Sequence, residues 1–165
     1  MNNASLAITV GDDPGDEVVV LLSANPGSPL LPLTKVASGG ELARTMLALR
    51  LVLTQAPGTL VFDEVDAGIG GTAAVAVAKS LADLGQRHQV LVVTHLAQVA
   101  AAAQTQINVT KAVRAKQTFA TASMLSGEDR VAEIARMLSG GVARESATEH
   151  ARDLLSASGA KKRRP

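Results

Sequence analysis

Apolar positions recur along this chain at two different periods. Two β-rich runs open it, at residues 6–10 and 17–22, and the turn signal Gly-Asp-Asp-Pro-Gly at 11–15 separates them. A loop with Asn25, Pro26, Gly27, Ser28 and Pro29 follows. Leu42, Met46, Leu49 and Leu53 then fall at helical spacing and predict an amphipathic helix over 39–54, stopped by Pro57 and Gly58. Residues 59–62 form a short apolar run that breaks off at Asp63 and Glu64, the pattern of a parallel strand buried on both faces. Gly68, Gly70 and Gly71 mark a loop, and a helix over 72–84 is closed by Gly85. A second buried strand at 90–93 ends in Thr94 and His95, and 96–103 resumes as helix. Strand, helix, strand, helix at these lengths predicts an α/β fold: a parallel sheet with helices packed on it and right-handed crossovers.

The texture then changes. Residues 106–113 and 118–125 predict an antiparallel strand pair, and two helices follow. The first is capped by Ser126, with Asp129 completing a partial capping box, and runs through Met137 to Gly140 and Gly141. The second covers 144–155. One folded lobe is expected over 1–157 and a flexible basic tail over 158–165, with no internal repeat and no long linker.

Composition narrows the picture. Of the 165 residues, 47% are hydrophobic but only 1% aromatic, the two phenylalanines Phe62 and Phe119. The core must therefore be aliphatic, and disorder, a collagen-like chain and a charge-rich coiled coil are excluded. With no cysteine there is no disulfide framework and no thiolate zinc site. Sixteen basic and fifteen acidic residues nearly balance, but Lys161, Lys162, Arg163 and Arg164 sit in the tail. Without those four, twelve basic residues face fifteen acidic ones, a net charge of −3. The folded part therefore carries no electrostatic footprint for strong nucleic-acid binding. No secretory signal opens the chain, and its apolar runs fall far short of the roughly 20 residues that span a bilayer. The expectation is a cytoplasmic protein with no membrane partner.

Three features carry candidate chemistry. Ser38-Gly39-Gly40-Glu41 opens a predicted helix and reads as a capping box. Each glycine, however, costs a helix about 1 kcal/mol relative to alanine. That cost makes sense where something must approach the backbone closely, most simply a phosphate at the positive end of the helix. Asp63 and Glu64 follow a strand and point to opposite faces, so they are not a proton-sharing dyad. They are either a solvated acidic turn or two separate roles: Asp63 holding Mg²⁺, directly or through water, and Glu64 positioning or deprotonating a water. His95 is a structural histidine or a third group at the same sheet edge. Ligands of open α/β sheets bind beyond the carboxyl ends of the strands, where all three features converge. Together they read as phosphoanhydride hydrolysis.

These residues resemble a known set. Residues 36–42, Val-Ala-Ser-Gly-Gly-Glu-Leu, look like the signature motif of ABC-type ATPases. Leu60-Val61-Phe62-Asp63-Glu64 resembles their Walker B strand with its catalytic glutamate. Val65-Asp66-Ala67-Gly68 resembles the D-loop, and Val93-Thr94-His95 the switch histidine. The spacing matches too, at 25 residues from Ser38 to Asp63 and 32 more to His95. The flanks at 22–27, 35–44, 62–71, 94–100 and 133–140 are similar to the RecN family of bacterial DNA-repair proteins, relatives of the structural-maintenance-of-chromosomes (SMC) proteins. The resemblance covers about residues 5 to 155. It implies the C-terminal lobe of an ATPase head, acting in recombinational repair of double-strand breaks, cytoplasmic and nucleoid-associated.

The sequence departs from that family's pattern: no Gly-x-x-x-x-Gly-Lys-Ser/Thr loop occurs, and no Q-loop or coiled-coil heptads precede the signature. By the resemblance, ATP and Mg²⁺ are therefore shared. Ser38, Gly39, Gly40, Glu41 and Asp66 would contact nucleotide, Asp63 the metal, and Glu64 and His95 the reaction. The implied partners are an N-terminal lobe bearing the Walker A, a second head in an ATP sandwich, and DNA through the full-length protein. The chain alone is expected to be inactive. The alternatives are a head lobe of another SMC-like or transporter ATPase, and a truncated non-catalytic interaction module.

Overall fold

The structure is a computed structural model that describes residues 4–12, 17–23, 25–36, 39–52, 58–114, 117–141 and 145–157. The chain forms two compact units, one of Met1–Ile69 with His88–Val93 and one of Gly70–Arg87 with Thr94–Pro165.

In the first unit, β1 (Ser5–Val10) and β2 (Val18–Ser23) pair antiparallel from Ser5↔Ser23 to Val10↔Val18. A two-residue strand, β3 (Leu31–Pro32), adds to β2 and leads into a four-residue helix, α1 (Leu33–Val36). Both are too short to leave a periodic signal. The link from β2 to β3 turns at Pro26 and Gly27, where Gly27 has φ 81° and the Ser28 amide donates to the Asn25 carbonyl at 3.1 Å. A proline followed by a positive-φ glycine is the type II pattern. Ser23 Oγ binds it from inside, donating to the carbonyls of Asn25 at 3.0 Å and Ser28 at 2.8 Å.

Helix α2 (Gly39–Val52) forms where helical spacing predicts it, but it buries a different face. Leu47 and Thr45 are buried, whereas Leu42 and Met46 of the expected stripe are exposed. Leu53 lies outside the described residues. Thr45 Oγ1 donates back to the Glu41 carbonyl at 2.9 Å, which lets a hydroxyl sit inside.

Strands β4 (Thr59–Phe62) and β5 (Gln89–Val92) are parallel, in register from Thr59↔Gln89 to Phe62↔Val92. The Val93 amide extends the ladder to the Phe62 carbonyl at 2.9 Å. The expected pairing is present, but the expected burial on both faces is not. Leu60 and Phe62 are buried, while Val61, Leu91 and Val93 are 68%, 50% and 62% exposed. A strand written for two covered faces here has one face that the described residues of its own unit leave open.

The second unit contains helices α3 (Gly71–Leu84), α4 (Ala97–Ala102), α5 (Gly127–Ser139) and α6 (Glu145–Ala157) and the hairpin of β6 (Gln106–Arg114) with β7 (Gln117–Leu125). Ala74, Ala78, Leu81 and Leu84 form the buried stripe of α3, at intervals of three and four. Ala97, Ala100, Ala101, Val131, Ile134, Ala135 and Ala151 make one core among α4, α5 and α6. The hairpin runs in register from Gln106↔Leu125 to Arg114↔Gln117.

The end signals are met unevenly. Gly140 closes α5 in the left-handed conformation, φ 65°, with its amide on the Arg136 carbonyl. Ser126 is the N-cap residue, but its side chain makes no capping bond, so the box with Asp129 does not form. Gly127 enters the helix at φ 53°, outside the regular first-turn geometry that aims a cap hydroxyl at the third amide. Arg130 joins three elements: it donates to the carbonyls of Ala100, Ala101 and Ala103 at the end of α4 and to Gln106 Oε1 at the start of β6. A cation there complements the helix dipole, and burial lowers its guanidinium pKa below the ordinary value.

Candidate functional site

Strand β4 ends in a turn built by its own acids. Asp63 Oδ1 accepts the Glu64 amide at 2.9 Å, and Glu64 takes φ 57°, in the left-handed region. That conformation costs a non-glycine residue about 1 kcal/mol or more and persists only where surrounding contacts hold it. The Ala67 amide returns to the Glu64 carbonyl at 3.0 Å, and the Ile69 amide to the Asp66 carbonyl at 3.3 Å. Asp63 and Glu64 are exposed, whereas Val65 and Asp66 are buried at 0% and 2%.

The first turn of α2 lies directly on this turn. A Cβ at Gly39 would meet Glu64 Oε2 at 2.7 Å. One at Gly40 would meet the Ala67 carbonyl oxygen at 2.8 Å and Arg44 Nη1 at 2.9 Å. The chain's own groups make these close approaches: the Glu64 carboxylate at Gly39, and the Ala67 carbonyl with the Arg44 guanidinium at Gly40. Arg44, one turn beyond Gly40 on the same helix face, donates Nη1 to the carbonyls of Ala67 at 2.8 Å and Val65 at 3.3 Å. Beside these contacts, between α2 and β4, an open cleft of about 380 Å³ is lined by Gly39, Leu42, Met46, Arg50, Val61 and Asp63, among others.

The structure thus brings Gly39, Gly40, Asp63, Glu64 and Asp66 together within one unit. Glu41 sits in the same first turn, half-buried. Ser38 lies outside the described residues. His95 follows β5 and belongs to the second unit, where it is exposed between Thr94 and Leu96, and the Leu96 amide donates to Thr94 Oγ1 at 3.0 Å. Among the described residues no group of three or more His, Cys, Asp or Glu side chains is placed to hold a metal. Arg44 is the site residue that motif reading missed. Its four-residue offset from Gly40, which puts a long cation over a missing side chain, was the available signal.

Two solved structures share this fold. One, described in terms of ATP-driven dimerization and DNA-stimulated activation of SMC ATPases, superimposes with a TM-score of 0.54 at 21% identity, covering 78% of this chain and 77% of that one. The other is an Smc head domain with an extended coiled coil from Pyrococcus furiosus, bound to the C-terminal domain of ScpA. Its TM-score is 0.56 at 21% identity, covering 74% of this chain and 31% of that one. The chain is thus a mixed α/β protein with the fold of an SMC-type ATPase head.

Sequence relatives are more specific. The DNA repair protein RecN of Deinococcus radiodurans is 55% identical over 139 residues, 84% of this chain and 24% of that protein. RecN of Treponema pallidum is 48% identical over 151 residues, 90% of this chain and 26% of the relative, and RecN of Streptomyces coelicolor 47% over 150 with the same coverage. No protein-family model matches. The chain is a RecN homologue and spans about a quarter of the length of the curated relatives it matches. No described helix is long and apolar enough to cross a membrane.

Proposed function

We propose that residues 1–157 are the C-terminal lobe of a RecN-type ATPase head, carrying half of each nucleotide site, and that 158–165 are a basic tail. The observation that carries this reading is the seating of Gly39 and Gly40 on the Glu64–Ala67 turn. It joins a helix start able to receive an anion to two exposed carboxylates at a strand end. ATP is the substrate implied, and DNA is met through the full-length, nucleoid-associated protein.

The residues fit such a group in part. Glu64 already places a carboxylate oxygen where Gly39 has no side chain, so that surface tolerates anionic oxygen. Asp63 and Glu64 are hard oxygen donors, fewer than the six ligands magnesium takes, which suits an ion otherwise held by phosphates and water. When bound, Mg²⁺ supplies charge neutralisation at the phosphate oxygens.

In this reading Asp63 is the protein's ligand to the ion. Glu64 orients a water and takes its proton, and His95 contacts the phosphate being released. Ser38, Gly39 and Gly40 present backbone N–H groups to the nucleotide of an opposing head, with Glu41 stabilising that turn. Asp66, buried, acts through the shape of the turn. The phosphate loop comes from an N-terminal lobe, for which the uncovered face of Val61, Leu91 and Val93 is the fitting surface. The curated relatives carry the RecN name and not a transporter's.

Glu64→Gln tests the assignment in a head assembled from this chain and a Walker A lobe. Removing the general base is expected to lower turnover at least about 100-fold while ATP is still retained on a filter. Turnover within twofold of the parent would remove Glu64 from the reaction.

A further inference from the structure

The Asp63–Asp66 turn is held from outside itself. Inside, it has two backbone bonds and the Asp63 cap, while Glu64 stays in a left-handed conformation that a glutamate adopts only under constraint. The remaining constraint comes from α2, where one nitrogen of Arg44 binds the carbonyls on both sides of Asp66. This bond is possible only because residue 40 has no side chain: a Cβ there would collide with both the donor and the acceptor. Arg44 also keeps its Nε buried with no hydrogen-bond partner among the described residues. Such an orphan donor opposes folding, so general stability is a poor reason for an arginine at this position.

We infer that Arg44 is a positioning residue: its clamp on the Val65 and Ala67 carbonyls ties the first turn of α2 to the turn that presents Asp63 and Glu64. The inference rests on the proposed reading of those two acids as reaction-side residues. A shift of the first turn of α2, such as an anion engaging Gly39 and Gly40 would produce, then moves the carbonyls flanking Asp66 and with them Glu64. In a head dimer this links the half-site that a lobe offers its partner to the half-site it uses itself. Lysine cannot replace the arginine fully, because its side chain is shorter and its ammonium is a strongly hydrated point charge on a flexible stem.

The test compares Arg44→Met and Arg44→Lys with the parent by residue-resolved hydrogen exchange on the 165-residue chain. In Arg44→Met the amides of Ala67 and Ile69 are expected to exchange at least tenfold faster. Val93, bonded to Phe62 in the β4–β5 ladder, should keep its rate, and Arg44→Lys should fall between. In the head assembled with a Walker A lobe, Arg44→Met should lower kcat at least tenfold and change KM for ATP less than twofold. Unchanged exchange at Ala67 and Ile69 overturns the inference, as does equal acceleration at Val93, which would make Arg44 a general stabiliser. A raised KM at constant kcat also overturns it, by making Arg44 a nucleotide contact. If the parental head fails to hydrolyse ATP, the proposed function falls, and the exchange data still decide whether Arg44 holds the turn.

Discussion

The α2–β4 region of the first unit and the helical core of the second pack their aliphatic side chains in different ways. In the second, α4, α5 and α6 close small side chains around Ile134 and Ala135, both 0% exposed, and Arg130 satisfies the open carbonyls at the end of α4. In the first, apolar side chains stand on an open sheet face, and Leu6, Leu22, Ala48, Leu49 and Val52 line an open groove of about 270 Å³. Its tightest packing is instead polar: a carboxylate on Gly39 and a guanidinium on two carbonyls. The helical core of the second unit is closed by its own residues, while its β6–β7 hairpin leaves Ile107, Val109, Val113, Phe119 and Met124 exposed. The first unit spends its close contacts on shaping a turn and leaves apolar area for something else to cover.

Substitutions should expose that contrast, and they fall in a clear order. Ile134→Ala empties the centre of the second unit and should cost about 3 kcal/mol, read as a lower urea midpoint of that unit's amides in hydrogen exchange. Arg130→Met should cost about 2 kcal/mol, because it removes the guanidinium bonds to the Ala103 carbonyl and Gln106 Oε1. A loss under about 0.5 kcal/mol would mean that water replaces the guanidinium fully. Gly40→Ala in the first unit should cost about 1.5 kcal/mol, confined to the Glu64–Ile69 turn and α2, since its methyl meets the Ala67 carbonyl. Leu91→Thr on the open sheet face should change the stability of the isolated chain by less than about 0.5 kcal/mol. The same substitution should weaken binding to a Walker A lobe in calorimetry, and equal binding would remove that face from the interface.

Most elements were legible because their signals are local. The abrupt end of an apolar run at Asp63 placed β4, and glycines at 140 and 141 placed the end of α5. Burial was less legible, because an apolar strand does not say which chain covers it; Val61 and Leu91 read as core and are exposed here. The buried face of α2 was misread for a related reason. Thr45 goes inside by bonding its own helix, and Leu42 and Met46 stay out on the cleft. Motif spacing pointed to Gly39, Gly40, Asp63 and Glu64, which the structure places side by side. It did not find Arg44, whose partners are backbone carbonyls more than twenty residues away and therefore carry no side-chain signature.

If this chain holds half of a nucleotide site, as proposed, hydrolysis needs a second lobe. The direct measurement is steady-state ATP turnover with magnesium by the purified chain, by an N-terminal lobe bearing a Walker A, and by the two mixed. No turnover above background is expected for either alone, and saturable turnover is expected for the mixture. Robust turnover by the chain alone, abolished by Glu64→Gln, would contradict the half-site proposal.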